Sequence, residues 1–255
     1  MLACCIRLIY FYQFQGNPFF GHLPELWDQT LYHKGAQALV EGDPFALAPG
    51  EPNQQSPFYQ YFLGLIYFFS GVELTSAWIV QLILGVVSTF LVYVIAKRYI
   101  SQGSAFIAAV MFTLYGGNWF YECTLYRASL VTLLTLLVCL LLLRFAERPS
   151  IGLLIGSALS LSFLTQARTN LILFVPFALV YLWRKVFSRR DMGRKWLAGY
   201  LVIFFLASLP LLVWVKQIHG NWGPYDQTGG ENFYLANSPD YSVRSVVHDK
   251  KIEIY

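Results

Sequence analysis

The chain has 255 residues, 56% of them hydrophobic and 13% charged, with a net charge of +4 and a mean hydropathy of +0.50. Soluble domains carry about a quarter charged residues, and here apolar runs of roughly eighteen residues recur, long enough to cross a bilayer. The balance excludes an ordinary soluble domain and predicts an all-α polytopic transmembrane bundle. No Walker loop, GxGxxG or nucleic-acid motif is present, so nucleic acid is not an expected partner. Cys4, Cys5, Cys123 and Cys139 have neither metal-type spacing nor a disulfide framework and read as buried thiols. No small-residue cleavage site follows the first apolar run, so no cleavable leader is expected.

In chain order the candidate spans are about 1–14, 58–71, 75–96, 103–120, 126–144, 151–166, 169–183 and 196–216. Three connections hold the Lys and Arg excess: Lys97 and Arg98; Arg144 and Arg148; and "WRKVFSRRDMGRK", with Arg184, Lys185, Arg189, Arg190, Arg194 and Lys195. Such connections face the cytoplasm. Two crossings must separate each from the next, which pairs 103–120 with 126–144 and 151–166 with 169–183 as hairpins. Counting back from Lys97, segment 58–71 is the odd one out. It is only about fourteen residues long, more typical of an interfacial piece, and is placed on the outer surface. About seven crossings remain, with the N-terminus cytoplasmic and the C-terminal tail outside. Residues 1–216 then form the transmembrane domain, with a first outer loop at 15–74, and 217–255 form an outer tail. Of fourteen acidic residues, only Glu147 and Asp191 fall inside.

Three outer segments carry the chemistry. The first, "PELWDQTLYHKGAQALVEGD", reads as an interfacial helix: Trp27, Leu31, Gly35 and Ala38 make a weak apolar stripe, and Asp28 and Tyr32 share another face at i, i+4. "GDP" at Gly42–Pro44 ends it. The second, "NWFYECTLYRASL", sets Glu122 and Arg127 at the outer end of a hairpin, where a mutual Glu–Arg tether is the plain alternative to function. The third, "TQARTN", puts Arg168 and Asn170 in a tight turn, where Arg168 either snorkels to headgroups or binds a ligand. A carboxylate can serve as general base toward a hydroxyl or amine. A guanidinium can hold a phosphate and offset charge on it as it departs.

The run "NPFF", "WDQTLYHKGAQALVEGD", "SPFYQYFLGLIYFFSG", "YECTLYRASL" and "ARTNLILFVP", with "GGENFYLAN" in the tail, resembles the GT-C glycosyltransferases. The nearest branch is the family-39-like one of protein mannosyltransferases and the lipid A aminoarabinose transferase. The resemblance implies sugar transfer from a polyprenyl-phosphate carrier to a protein, glycan or lipid acceptor on the outer face of the cell membrane. It implies Asp28 as catalytic base and matches Pro57–Tyr59 to a family "Pro-x-Tyr" region. It puts Glu122 or Tyr126 at a functional position of the second loop and suggests phosphate binding by Arg168. Arg127 joins Arg168 as a phosphate partner, and Tyr32, Tyr59, Glu122 and Asn170 shape the expected sugar pocket. Where many members carry an acidic pair, Asp28 is followed by Gln29. Members also continue with further helices, so the chain reads as the N-terminal part of a longer enzyme. Some relatives use a divalent metal ion, and His22, His33 and Glu41 lie in the relevant loop without diagnostic spacing. Two rivals are weighed: a transporter or flippase, against which the midplane holds few polar groups beyond Gln81 and Arg7, and a non-catalytic assembly subunit.

Overall fold

The computed structural model describes residues 1–18, 20–23, 28–46, 56–188, 193–225, 233, 234 and 237. Among them every regular element is helical: α1 (Leu2–Phe14), α2 (Asp28–Val40), α3 (Phe58–Ser70), α4 (Leu74–Ala96), α5 (Gln102–Leu114), α6 (Gly116–Glu122), α7 (Ala128–Glu147), α8 (Ile151–Ala167), a 3-10 turn (Thr169–Leu173), α9 (Phe174–Leu182), a π turn (Trp183–Phe187) and α10 (Gly193–His219). Leu74–Ala96, Ala128–Glu147, Thr169–Val186 and Gly193–His219 are long and apolar enough to cross a membrane, and Leu2–Phe14, Gln102–Leu114 and Ile151–Ala167 are shorter apolar helices. These seven overlap the seven runs read as crossings. Large apolar side chains face outward from them, among them Phe90, Phe106, Ile107, Met111, Phe205 and Leu206. That outward oiliness suits a hydrocarbon solvent, in which a helix satisfies its own backbone.

Local chemistry starts and stops the helices. Ser101 and Ser150 cap α5 and α8 by accepting from the Ser104 and Leu153 amides. Leu-rich α7 uses an unbranched-at-Cβ residue of high helix propensity. Pro210 sits inside α10, where it withholds one backbone donor, a defect that membrane helices tolerate. The run expected as one helix over 103–120 is instead broken: Tyr115 takes an extended conformation between α5 and α6. α5 alone rises about 20 Å, short of a hydrocarbon core of about 30 Å.

One end of the bundle gathers the basic connections, and an ion pair between Arg98 and Glu147 ties the first to the second. The opposite end is closed by α2 and α3. α3 belongs wholly to that end. At its start the Ser56 hydroxyl donates to the Gln166 carbonyl at the end of α8 (2.6 Å). At its finish the Ser70 hydroxyl meets Ser76 at the start of α4 (2.8 Å). A helix joined at both termini to the same end of the bundle does not thread it. α2 lies on α3 at a close approach that requires glycine: a Cβ on Gly35 would stand 2.7 Å from Gln60 Cδ and 2.8 Å from the Ala46 carbonyl. α2 also reaches across this end. The Gln29 Oε1 at its start accepts from the Leu125 amide (3.1 Å), and beyond its finish the Phe45 carbonyl accepts from the Trp214 indole of α10 (2.8 Å).

Candidate active site at the polar end

Asp28 is the first residue of α2 and half-buried. A carboxylate there sits favourably in the positive end of the helix dipole. Trp27, read as part of the same helix's apolar stripe, lies outside the described residues. Across from Asp28 stands the corner 123–127 between α6 and α7. The Tyr126 phenol of that corner is pushed above its ordinary value, mainly by burial, with a hydrogen bond to Gln29 acting the other way and the Asp28 carboxylate adding to the rise. The corner and the start of α2 are neighbours: the Leu125 amide donates to the Gln29 Oε1 (3.1 Å), and Tyr126 lies close enough to Asp28 to feel its charge.

Beside this contact opens a cavity of about 590 Å³, lined by α1, the loop after it, the start of α2, Trp78 of α4 and the end of α6. Volumes of a few hundred cubic ångströms suit small ligands. Its walls alternate aromatic faces, such as Tyr10, Phe14 and Phe120, with the polar groups of Gln13, Asn17 and Gln29. The buried Trp78 indole N–H has no hydrogen-bond partner among the described residues. Sequence reasoning missed this cavity because three of its walls are set by packing between elements far apart in the chain.

The other expected site residues divide. Tyr32 and Tyr59 come together, rings T-shaped at 4.9 Å, but both are buried, at 1% exposure. The Tyr59 hydroxyl donates to Gln81 Oε1 (2.7 Å), and burial holds that phenol well above its ordinary value, so it serves as a neutral donor. Arg168 and Asn170 share a hydrogen bond (3.3 Å) and are exposed at the α8 side of the same end, outside the cavity lining. Arg127 is half-buried immediately before α7.

Glu122 departs most from expectation. The tether weighed for it was Arg127. Instead its carboxylate takes two hydrogen bonds from Arg7 of α1, Nε to Oε2 at 2.7 Å and Nη2 to Oε1 at 2.9 Å. Both residues are almost wholly buried, at 1% and 3%. They lie against Gly85, the middle residue of α4, about 16 Å from either end of that helix. A signal for this existed in the sequence: Gln81, Gly85 and Ser88 line one face of an otherwise apolar helix, a polar and small stripe that needs polar company. Of the three candidate metal ligands, His22 lines the cavity, His33 pairs with the Tyr67 hydroxyl (2.9 Å) and Glu41 accepts from Gln37 (2.8 Å). Among the described residues no group of three His, Cys, Asp or Glu side chains converges.

No curated protein and no solved structure matches the chain. The family described as dolichyl-phosphate-mannose-protein mannosyltransferase matches residues 54–214. The match takes in α3 through most of α10, with Tyr59, Glu122, Arg127, Arg168 and Asn170, and begins after Asp28. More than half of the chain lies within it. The protein belongs to this mannosyltransferase family and is an integral membrane glycosyltransferase.

Proposed function

We propose that the protein transfers a sugar from a polyprenyl-phosphate carrier to an acceptor hydroxyl or amine at its polar end, which faces away from the cytoplasm. Asp28 takes the acceptor proton as the acceptor atom bonds to the anomeric carbon, and the bond from that carbon to the phosphate oxygen breaks. The phosphate leaves as an anion, and Arg127 and Arg168 offset its charge. The single observation that carries this reading is the position of Asp28 in the first turn of α2, beside a cavity into which Gln29, the next residue, projects. An aromatic and amide lining suits a neutral sugar, whose C–H faces pack on rings and whose hydroxyls pair with amides. Tyr32 and Tyr59 support α2 from beneath. Asn170 orients Arg168 through their hydrogen bond.

The orientation follows the Lys and Arg bias toward the cytoplasm, and the membrane is then the cell membrane, with a cytoplasmic N-terminus. The test is transfer from radiolabelled polyprenyl-phosphate mannose by the full-length protein in lipid nanodiscs, with Asp28→Asn as control. The reading predicts binding of this donor by both proteins and product from the parent alone. Full activity of Asp28→Asn removes Asp28 from the role, and absence of donor binding removes the lipid-phosphate donor.

A further inference from the structure

Arg7 and Glu122 form an ion pair whose two side chains are almost wholly buried. Two charges withdrawn from solvent carry a desolvation penalty that their attraction offsets only with good geometry. Here the geometry is good. The guanidinium meets both carboxylate oxygens in a forked pair, and the Arg7 Nη1 also donates to the Ala3 carbonyl (3.3 Å). The seat is also made to measure. A Cβ on Gly85 would lie 2.0 Å from Glu122 Oε1 and 2.6 Å from Arg7 Nε, so only glycine leaves room.

A pair of this kind needs a reason beyond stability, since apolar substitutes often stabilise as well. The bonds beyond it supply one. The Glu122 carbonyl accepts from Gln81 Nε2 (3.2 Å), as does the Thr124 carbonyl (2.9 Å). Gln81 Oε1 in turn accepts from Tyr59 of α3 (2.7 Å) and Ser129 of α7 (3.0 Å). One residue further on, the Leu125 amide donates to Gln29, the neighbour of Asp28. The pair thus anchors one end of the chain segment whose other end holds the start of α2. α6 itself has only seven residues and follows the break at Tyr115, so its own backbone gives it little hold on its position.

We propose that Arg7 and Glu122 are positioning residues: seated on Gly85, they fix α6 and the 123–127 corner in register with Asp28. The role in catalysis rests on the Asp28 reading above, whereas the register itself does not. The first helix is then part of the site's framework as well as a membrane segment.

Pulsed electron spin resonance tests the register without any substrate. Spin labels go on Glu41→Cys, just beyond α2, and on Gly116→Cys, where an added Cβ meets nothing within 4 Å. The background replaces the four native cysteines. The parent in nanodiscs is expected to give one narrow distance. Arg7→Met/Glu122→Leu is expected to keep its unfolding temperature yet give a broad or split distance, an outcome that a purely structural role does not produce. Gly85→Ala, which retains both charges but forces them off α4, is expected to broaden it as well. A narrow, unchanged distance in either variant, or a broad one in the parent, overturns the proposal. If instead Asp28→Asn retains transfer while the distances behave as expected, the catalytic reading fails and the register stands.

Discussion

Asp28 and Glu122 are both carboxylates of segments expected to share one outer face, and the structure gives them opposite surroundings. Asp28 opens a helix whose next residue, Gln29, lines a cavity, and is half-buried. Glu122 closes a helix in the interior and is held by a guanidinium 115 residues away. The difference teaches that the two ends of a helix hairpin fix only which end of the bundle a residue approaches. Depth depends on how far the connecting turn folds back between its neighbours.

The contrast can be broken most severely by neutralising each carboxylate. Asp28→Asn is expected to lower transfer about 10²- to 10⁴-fold, the usual contribution of a general base, with the unfolding temperature unchanged. Glu122→Gln, in contrast, is expected to lower the unfolding temperature first. A protein in which Glu122→Gln loses transfer and Asp28→Asn does not would reverse the assignment. Arg7→Met alone leaves Glu122 as an unpaired buried charge and is expected to cost about 3–5 kcal/mol in denaturant unfolding, most of which the added Glu122→Leu restores.

Next in size is the exposed cation. Arg168→Ala is expected to weaken binding of polyprenyl-phosphate mannose about tenfold or more, the scale of one charge-assisted hydrogen bond, with no change in melting. Equal donor affinity would remove Arg168 from the phosphate site. Gly35→Ala forces α2 off α3 and is expected to destabilise by about 1–3 kcal/mol, as overpacking does, while lowering transfer because Asp28 moves with its helix.

The smallest effect is a pH dependence. Burial holds the His33 imidazole below its ordinary pKa of 6.5, so the unfolded chain binds the extra proton first. The stability linked to His33 is therefore full above about pH 6.5 and declines as the pH falls through the lowered folded value. His33→Asn is expected to flatten that part of the unfolding-temperature profile, and an unchanged slope would assign the decline to other groups.

Much of this was legible in the chain. Hydropathy marked the seven apolar helices, the Lys and Arg clusters marked one end, and the shortness of 58–71 predicted a helix that stays at the other. The helix beginning at Asp28 followed from its own pattern. The interior partner of Glu122 did not: Gly116–Gly117 marks the break after Tyr115 in the chain, and the Asn118 and Trp119 side chains hold it by donating to the Phe112 and Thr113 carbonyls, but no local signal says against which helix the segment folds back. Nor did the cavity, whose walls from α1, α4 and α6 meet only in three dimensions. Tyr32 and Tyr59, which topology and the family resemblance put at the sugar pocket, are buried ring to ring, and Tyr59 bonds Gln81 of α4.

Everything functional depends on the first loop, the 123–127 corner and the Arg168 turn sharing one side of the membrane. The direct measurement is labelling of single cysteines by an impermeant maleimide in intact cells, at Glu41 and Asn170 on one hand and Lys97 and Ser188 on the other. The first two are expected to react from outside, and the last two only after the membrane is opened. Reaction of Glu41 and Asn170 from opposite sides would contradict the account.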